Sequence, residues 1–384
     1  MPARLQSFVL HGVDALPCEV ADDLHDTDGK DRETIVGLPD AAVRESIERV
    51  RSALGNCGYM TPRGRLLINL APADVRKEGP LYDLPIAVGL LMSQGVVPSG
   101  PVEGAPDPRR LLLAGELALD GRVRPIRGAI AMAAMARQRG CDAVVVPAEN
   151  AAEAAVVASV EVFGVRTLTE VVGLLTGLIE AQRTPPPDID AMLEGATAAV
   201  DFAEVRGQEA VKRAIVVAAA GSHNVLMLGP AGTGKTMMAK ALPGVLPSLT
   251  AEEAIQITRI YSAAGQLPPG RGLILTRPVR SPHHTASAAA VVGGGAIPRP
   301  GEVSLAQHGV LFLDELPEFP RQVLETLRQP LEDHVVTISR SHSSVRFPAD
   351  FMLVAALNPT PKGDMPAGEE GKRAMERYLS RISG

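Results

Sequence analysis

Gly229-Pro230-Ala231-Gly232-Thr233-Gly234-Lys235-Thr236 decides the fold of this 384-residue chain. The octapeptide satisfies the phosphate-binding pattern G-x-x-x-x-G-K-[ST] at every required position. Before it, Asn224-Val225-Leu226-Met227-Leu228 is a short apolar run that predicts a buried strand, and after it Met237 to Leu242 predicts a helix. Chemistry accounts for the residue types. Gly229, Gly232 and Gly234 let the backbone turn with its N–H groups facing inward around phosphate oxygens, and Pro230, Ala231 and Thr233 complete the loop. The helix N-terminus adds its partial positive charge. Lys235 is placed to reach the β- and γ-phosphates, and Thr236 to offer a hydroxyl to Mg²⁺. Strand, phosphate loop and helix in this order predict an α/β domain that binds a nucleoside triphosphate.

Two further strand ends belong with this loop. Val310-Leu311-Phe312-Leu313 predicts a buried strand that ends in Asp314-Glu315, and ligands collect at such ends in open α/β sheets. Asp314 is placed to hold Mg²⁺ and Glu315 to orient and polarise an attacking water. Phe351 to Leu357 predicts a third strand ending in Asn358, whose amide can reach a γ-phosphate or the water. Lys235, Glu315 and Asn358 are therefore the expected catalytic set. Asn before Pro is also ordinary turn chemistry, so Asn358 gains its meaning from its place after the other two motifs.

A chain of this length accommodates two domains, and 46% apolar residues supply a sizeable core. The net charge of −6 excludes indiscriminate binding to polyanions, though not a local basic surface. Aromatic residues make up 3% and Trp is absent, which disfavours base stacking as a main binding mode. Cys18, Cys57 and Cys141 are far apart and form no C-x-x-C pair, so each is expected to be a buried small hydrophobe. No basic-plus-apolar leader opens the sequence and no apolar run reaches membrane-spanning length, so a cytoplasmic protein is expected.

The half before the phosphate loop has its own pattern. Asp40 caps an expected helix with Val43, Ile47, Val50 and Leu54 on one face and Gly55 just beyond its end. Leu66–Leu70, Leu111–Ala114 and Ala143–Val146 predict strands, and helices are expected over 128–138, 149–158 and 168–182. Thr184-Pro185-Pro186-Pro187-Asp188 stops any helix and marks a linker over 184–200, between a domain of residues 1–183 and a second of residues 201–384. In the second half, an Ala-rich helix is expected to end near Gly221, and another helix over 321–329. Arg277 to Pro300 is basic, rich in Gly and Pro, and free of carboxylates. Val335–Ile338 and Val345–Phe347 flank a polar tip and predict a hairpin.

One long stretch carries a family resemblance. Arg277-Pro278-Val279-Arg280-Ser281-Pro282-His283-His284-Thr285-Ala286-Ser287, then Gly293-Gly294-Gly295, then Pro300-Gly301-Glu302-Val303-Ser304-Leu305-Ala306 running into Gly309–Glu315, resembles the magnesium-chelatase-like AAA+ ATPases. Within that group it is similar to the ComM/YifB type, linked to competence and DNA recombination. The resemblance implies ATP and Mg²⁺ as cofactors, with Asn358 as the sensor-1 residue. It further implies a ring, expected to be a hexamer, and DNA as partner, single-stranded or branched. The stretch 277–300 is similar to the helix-2 insert and the hairpin to the pre-sensor-1 hairpin of related ring helicases. On that likeness Arg280, His284, Arg340, His342 and Arg346 are the expected DNA contacts; the alternative for each is a solvated basic loop.

The first half resembles a Lon-protease-like α+β domain of the ribosomal-S5 fold, through Gly115-Glu116-Leu117, Gly121-Arg122-Val123, Pro125-Ile126-Arg127-Gly128 and Val146-Pro147-Ala148-Glu149-Asn150. A Ser–Lys protease is nevertheless unexpected, because Leu81 and Ile130 stand where the likeness would place the nucleophile and its base. Two departures from the family pattern concern the end of the sequence. Asn358-Pro359-Thr360-Pro361-Lys362 lacks the cysteines that many relatives carry, so no metal cluster is expected there. The arginine finger and helical lid of the family have no counterpart by Gly384, so a lid-less AAA+ domain is expected, as a fragment, a truncated gene product or a protein that binds ATP and hydrolyses it poorly, with Arg381 a weak substitute for the finger. Three functions fit: a motor that moves or remodels DNA by branch migration or helicase action, a chelatase motor driving Mg²⁺ into a porphyrin, and a protein-remodelling ATPase. The Lon-like half disfavours the chelatase.

Overall fold

The computed structural model describes residues 3–25, 32–61, 64–295, 298–340, 343–359 and 368–379. The chain divides into two compact units: residues 1–188 with 262–273, and residues 189–261 with 274–384. Among the described residues no helix is long and apolar enough to cross a membrane.

In the first unit the strands are β1 (Ala3–His11), β2 (Asp14–His25), β3 (Arg32–Val36), β4 (Arg65–Ala71), β5 (Leu111–Leu113), β6 (Glu116–Leu117), β7 (Val123–Arg124), β8 (Ala143–Pro147) and β9 (Glu161–Val165). Seven of them form one mixed sheet in the order β3-β4-β2-β1-β5-β8-β9, and β6 and β7 make a separate two-stranded ribbon. β5 and β8 are buried throughout, and their alternate residues feed two cores. Leu111, Leu113 and Val145 join one core with Val50, Leu54 and Leu90, while Leu112, Val144 and Val146 join another with Met132 and Ala136. Period-two alternation thus sends one strand's side chains to both faces of a covered sheet.

Local chemistry sets the helices. Asp40 caps Ala41–Arg44 by accepting from Val43 N at 2.8 Å, and Ser46–Asn56 follows. Val43, Ile47, Val50 and Leu54 are buried as their spacing predicts. Gly55 lies inside this helix rather than beyond it; the turn out is made by Gly58 at φ 80°. The helix expected over 149–158 is shorter, Ala148–Ala154. The one expected over 168–182 ends at Thr176, where Gly177 takes φ 71° and Leu178 N bonds back to Gly173 O at 2.9 Å. Leu81 and Ile130 both pack in apolar surroundings. Of the cysteines only Cys18 is buried, and burial pushes its thiol up to about 12; Cys57 and Cys141 are half-buried.

Segment 262–273 belongs with this first unit, and nothing in its sequence marks it as an excursion from the second half. Ser262 Oγ accepts from Gly128 N at 2.9 Å and donates to Glu153 Oε1 at 3.3 Å.

The second unit is built on β10 (Val225–Leu228), β11 (Val279–Arg280), β14 (Val310–Leu313) and β17 (Met352–Leu357), parallel in the order β10-β17-β14-β11. Two ribbons accompany it, β12 (Gly293–Gly294) with β13 (Arg299–Pro300), and β15 (Val335–Arg340) with β16 (Ser343–Pro348). Gly309 is required where the chain enters β14, since a Cβ there would collide with Pro278 O. The expectation of a buried β10 is corrected. Leu226 and Leu228, two residues apart on one face of β10, are 59% and 52% exposed, while Met227 on the other face is buried. β14, paired on both sides, is buried at every residue. The proline-rich stretch expected to be a plain linker contains a short helix, Ile189–Glu194.

Candidate functional site

Three parallel strands deliver the site. β10, β14 and β17 end side by side at Leu228, Leu313 and Leu357, so the residues that follow them converge although they lie far apart in sequence. The phosphate loop leaves β10 and is tied to β17 by Gly229 N donating to Leu357 O at 3.3 Å. Gly232 and Gly234 adopt φ 79° and 87°, conformations in which an L side chain is strained, and a Cβ on either would meet no other atom. Glycine is needed here for the turn itself. Thr233 Oγ1 donates to Pro230 O at 2.9 Å and braces the loop. The helix Lys235–Ala241 starts at Gly234, so the first residues after the loop sit at a helix N-terminus.

Lys235 Nζ donates to Gly229 O at 2.7 Å, Pro230 O at 2.9 Å and Asn358 Oδ1 at 3.1 Å. The ammonium has three protons, so these bonds use its full capacity. They hold it over the loop and join the ends of β10 and β17 through one side chain. Thr236 Oγ1 donates to Asp314 Oδ2 at 3.0 Å. Asp314 Oδ1 accepts from Glu315 N at 3.0 Å, which turns the chain sharply, and Glu315 takes φ 54° and ψ 49°. A hydroxyl and a carboxylate at hydrogen-bond distance are hard oxygen donors of the kind Mg²⁺ takes beside phosphate. The loop and this pair fit a Mg²⁺-nucleotide.

The expected DNA-contact residues fall in different surroundings. Arg280 forms a two-bond pair with Glu302, Nε to Oε2 at 2.6 Å and Nη2 to Oε1 at 2.8 Å. A phosphate contact by Arg280 would have to displace that carboxylate. His284 Nδ1 lies 3.3 Å from Glu315 Oε2. Arg346 is exposed on β16, opposite Thr337. Arg340 ends β15, and His342 lies outside the described residues, as do 360–367 and Arg381.

A second polar cluster in this unit has no contiguous signature in the sequence. Arg277 donates to Pro247 O at 2.7 Å and His308 O at 2.6 Å and pairs with Glu253 at 3.2 Å. Asp350 meets His334 at 3.1 Å and His308 at 3.5 Å. The hydrogen bond from His308, with the charge of His334 and Arg277, holds the Asp350 carboxyl below its ordinary value. These residues line a cavity of about 230 Å³ with Asn224, Phe351 and Met352. They stand where β11, β14 and β17 begin, so the cluster ties the strand starts together at the end remote from the phosphate loop.

Fold and site together define a phosphate-loop α/β nucleotide domain with its acidic and amide partners on neighbouring strands. Residues 201–384 match the family described as magnesium chelatase, subunit ChlI, and residues 23–150 match a second described as subunit ChlI of Mg-chelatase. YifB of Salmonella typhimurium is 43% identical over 376 residues, spanning 97% of this chain and 71% of that protein. The competence protein ComM of Haemophilus influenzae is 42% identical over 369 residues, 94% of this chain and 70% of the relative. The magnesium-chelatase 38 kDa subunit of Rhodobacter capsulatus is 28% identical over 182 residues, 43% of this chain and 51% of that subunit. The chain belongs to the magnesium-chelatase-like AAA+ ATPase family, in its ComM/YifB branch.

Proposed function

We propose that this chain hydrolyses ATP and uses the energy to move or remodel DNA, by branch migration or helicase action, as a ring. The observation that carries the nucleotide chemistry is the convergence of Lys235, Thr236, Asp314, Glu315 and Asn358 from three strand ends. Lys235 releases its loop carbonyls to phosphate oxygens and offsets their charge. Thr236 and Asp314 would hold Mg²⁺, which supplies further charge neutralisation on the phosphates when bound. Glu315 accepts a proton from the water as its oxygen attacks the γ-phosphorus. The bond to the bridging oxygen breaks and ADP leaves with that electron pair. Asn358 keeps the ammonium of Lys235 in register with the reacting group.

The competence protein among the relatives supports DNA as the partner. Exposed Arg346 on the β15–β16 hairpin supports a backbone contact that positions a strand without reading its bases. Turnover measured with and without single-stranded and four-way-junction DNA, across a protein concentration series, tests the reading. DNA-stimulated turnover that rises cooperatively with concentration is expected. Turnover indifferent to both DNA and concentration removes the DNA and ring parts and leaves the ATPase. A chelatase motor is the second reading, favoured by the descriptions of the matched families and by the Rhodobacter subunit. Porphyrin-dependent turnover with no DNA response would select it.

A further inference from the structure

We infer that Glu153 is a proton-operated latch on segment 262–273, holding it closed as the neutral acid and loosening it as the carboxylate. The segment packs within the first unit as a strap. It starts in the last turn of the helix Ala251–Ala264, turns at Gly265 with φ 70°, and runs through Pro268 and Pro269 to Leu273. Just beyond it, Ile274 N donates to Thr258 Oγ1 at 2.9 Å and closes the loop at its neck. Ala263 and Leu273 are buried. Near its far end the strap presses on the helix Ala148–Ala154. Gly270 N donates to Glu149 O at 3.3 Å, and a Cβ on Gly272 would stand 2.9 Å from Ala152 O, so only glycine allows this approach. At its near end the strap is pinned through Ser262.

The pin is a knot of buried polar groups, Glu153, Asn150 and Ser262. Glu153 Oε1 accepts from Ala129 N at 3.0 Å, Asn150 Nδ2 at 3.2 Å and Ser262 Oγ at 3.3 Å, while Ser262 Oγ accepts from Gly128 N at 2.9 Å. Of these partners only Ser262 lies on the strap. Lifting the strap therefore opens the carboxyl to water and leaves its other bonds in place. The groups that face Glu153 are neutral donors: Asn150 from its own helix, the N–H groups of Ala129 and Ile130 at the start of the helix Ala129–Gln138, and Ser262. Charged residues along the strap are Arg271 on it, Arg127 against Gly265, and Glu149. A helix start favours a negative charge, but burial outweighs it here and lifts the carboxyl to about 7. With the strap open, the carboxyl moves back toward its ordinary value of 4.5. The closed strap thus holds more protons than the open one between 4.5 and about 7. Closure is firmest below that window, weakens as pH rises through it, and changes no further above it.

Hydrogen exchange on the whole chain tests the latch without any assumption about activity. Peptides covering 262–273 are read by mass spectrometry and corrected for the intrinsic pH dependence of exchange. From pH 5 to pH 8 the opening equilibrium of the strap should rise about tenfold or more, while β8 in the same unit stays closed. Glu153→Gln keeps an acceptor at Oε1 and cannot ionise, so its strap should open equally at both pH values. Ser262→Ala removes the pin and should open the strap further at every pH. The parental measurement needs no variant, so it decides even if a substitution prevents folding. A strap that opens equally at both pH values, or only in step with β8, overturns the inference. A pH rise that survives in Glu153→Gln places the proton elsewhere and overturns it too, as does a Ser262→Ala strap no more open than the parent's.

Discussion

Thr236 Oγ1 lies 3.0 Å from Asp314 Oδ2 across 78 residues of sequence. The hydroxyl arrives at the start of a helix and the carboxylate at the end of β14, so the sheet register sets their separation, not local sequence. If this pair holds Mg²⁺, removing the charge of Asp314 should spare nucleotide binding measured without metal and cripple turnover with it. Asp314→Asn is expected to lose at least about 100-fold in kcat, from several kcal/mol of lost charge stabilisation. Equal turnover by Asn and Asp at saturating Mg²⁺ would remove Asp314 from the metal site.

Lys235 and Asn358 should separate binding from rate. The ammonium supplies charge to the phosphates in ground and transition states alike, so Lys235→Ala should weaken ATP binding. Two charged hydrogen bonds, at about 1.5–3 kcal/mol each, predict a loss of about 100-fold or more. Asn358 touches Lys235 at 3.1 Å and acts by placing it. Asn358→Ala is therefore expected to lower kcat about tenfold with affinity within about threefold. Titration with a fluorescent nucleotide beside steady-state kinetics gives both numbers. A variant of Asn358 that lost affinity and kept its kcat would make it a binding residue.

Glu153 gives the first unit a pH dependence. It is 2% exposed, and burial, partly offset by hydrogen bonds from Asn150, Ser262 and Ala129 N, lifts its carboxyl to about 7. The folded state thus keeps a proton that the unfolded chain has already lost. The stability it contributes is full below the ordinary glutamate value of 4.5 and falls as pH rises toward about 7. Glu153→Gln keeps an acceptor where the three donors converge on Oε1 and removes the charge. Between pH 5 and pH 8 the variant should gain on the parent by something on the order of 2–3 kcal/mol. Parallel denaturation curves at both pH values would place the Glu153 proton elsewhere.

The same residues show what a sequence discloses. The phosphate loop, the Asp314–Glu315 strand end and the strand before Asn358 were legible because each is a contiguous apolar run closed by a few residues of special chemistry. Helix starts read well where a side chain caps them, as Asp40 does. Helix ends read poorly, since Gly177 stops one and Gly55 sits inside another, and a glycine's backbone angle depends on what surrounds it. Exposure of Leu226 and Leu228 was illegible because it depends on what packs over that face of β10. The contact of His284 with Glu315 was illegible too. It joins a loop after β11 to a turn after β14, and only the adjacency of those two strands brings the residues together.

Arg346 offers the cleanest test of the DNA reading on the hairpin. It is exposed on β16 and pairs across the ladder with Thr337, an uncharged neighbour. Arg280 is a weaker probe, because its loss also leaves Glu302 without its partner. If Arg346 meets a phosphate, Arg346→Ala should weaken binding to single-stranded and junction DNA by similar factors. It should also reduce the slope of log affinity against log salt by about 1, the signature of one contact that released counterions. The melting temperature and the turnover without DNA should stay at parental values, since an exposed arginine on a hairpin supports neither core nor site. A changed affinity with an unchanged salt slope would mean that Arg346 acts through the shape of the hairpin, and unchanged affinity would move the DNA contact off β16.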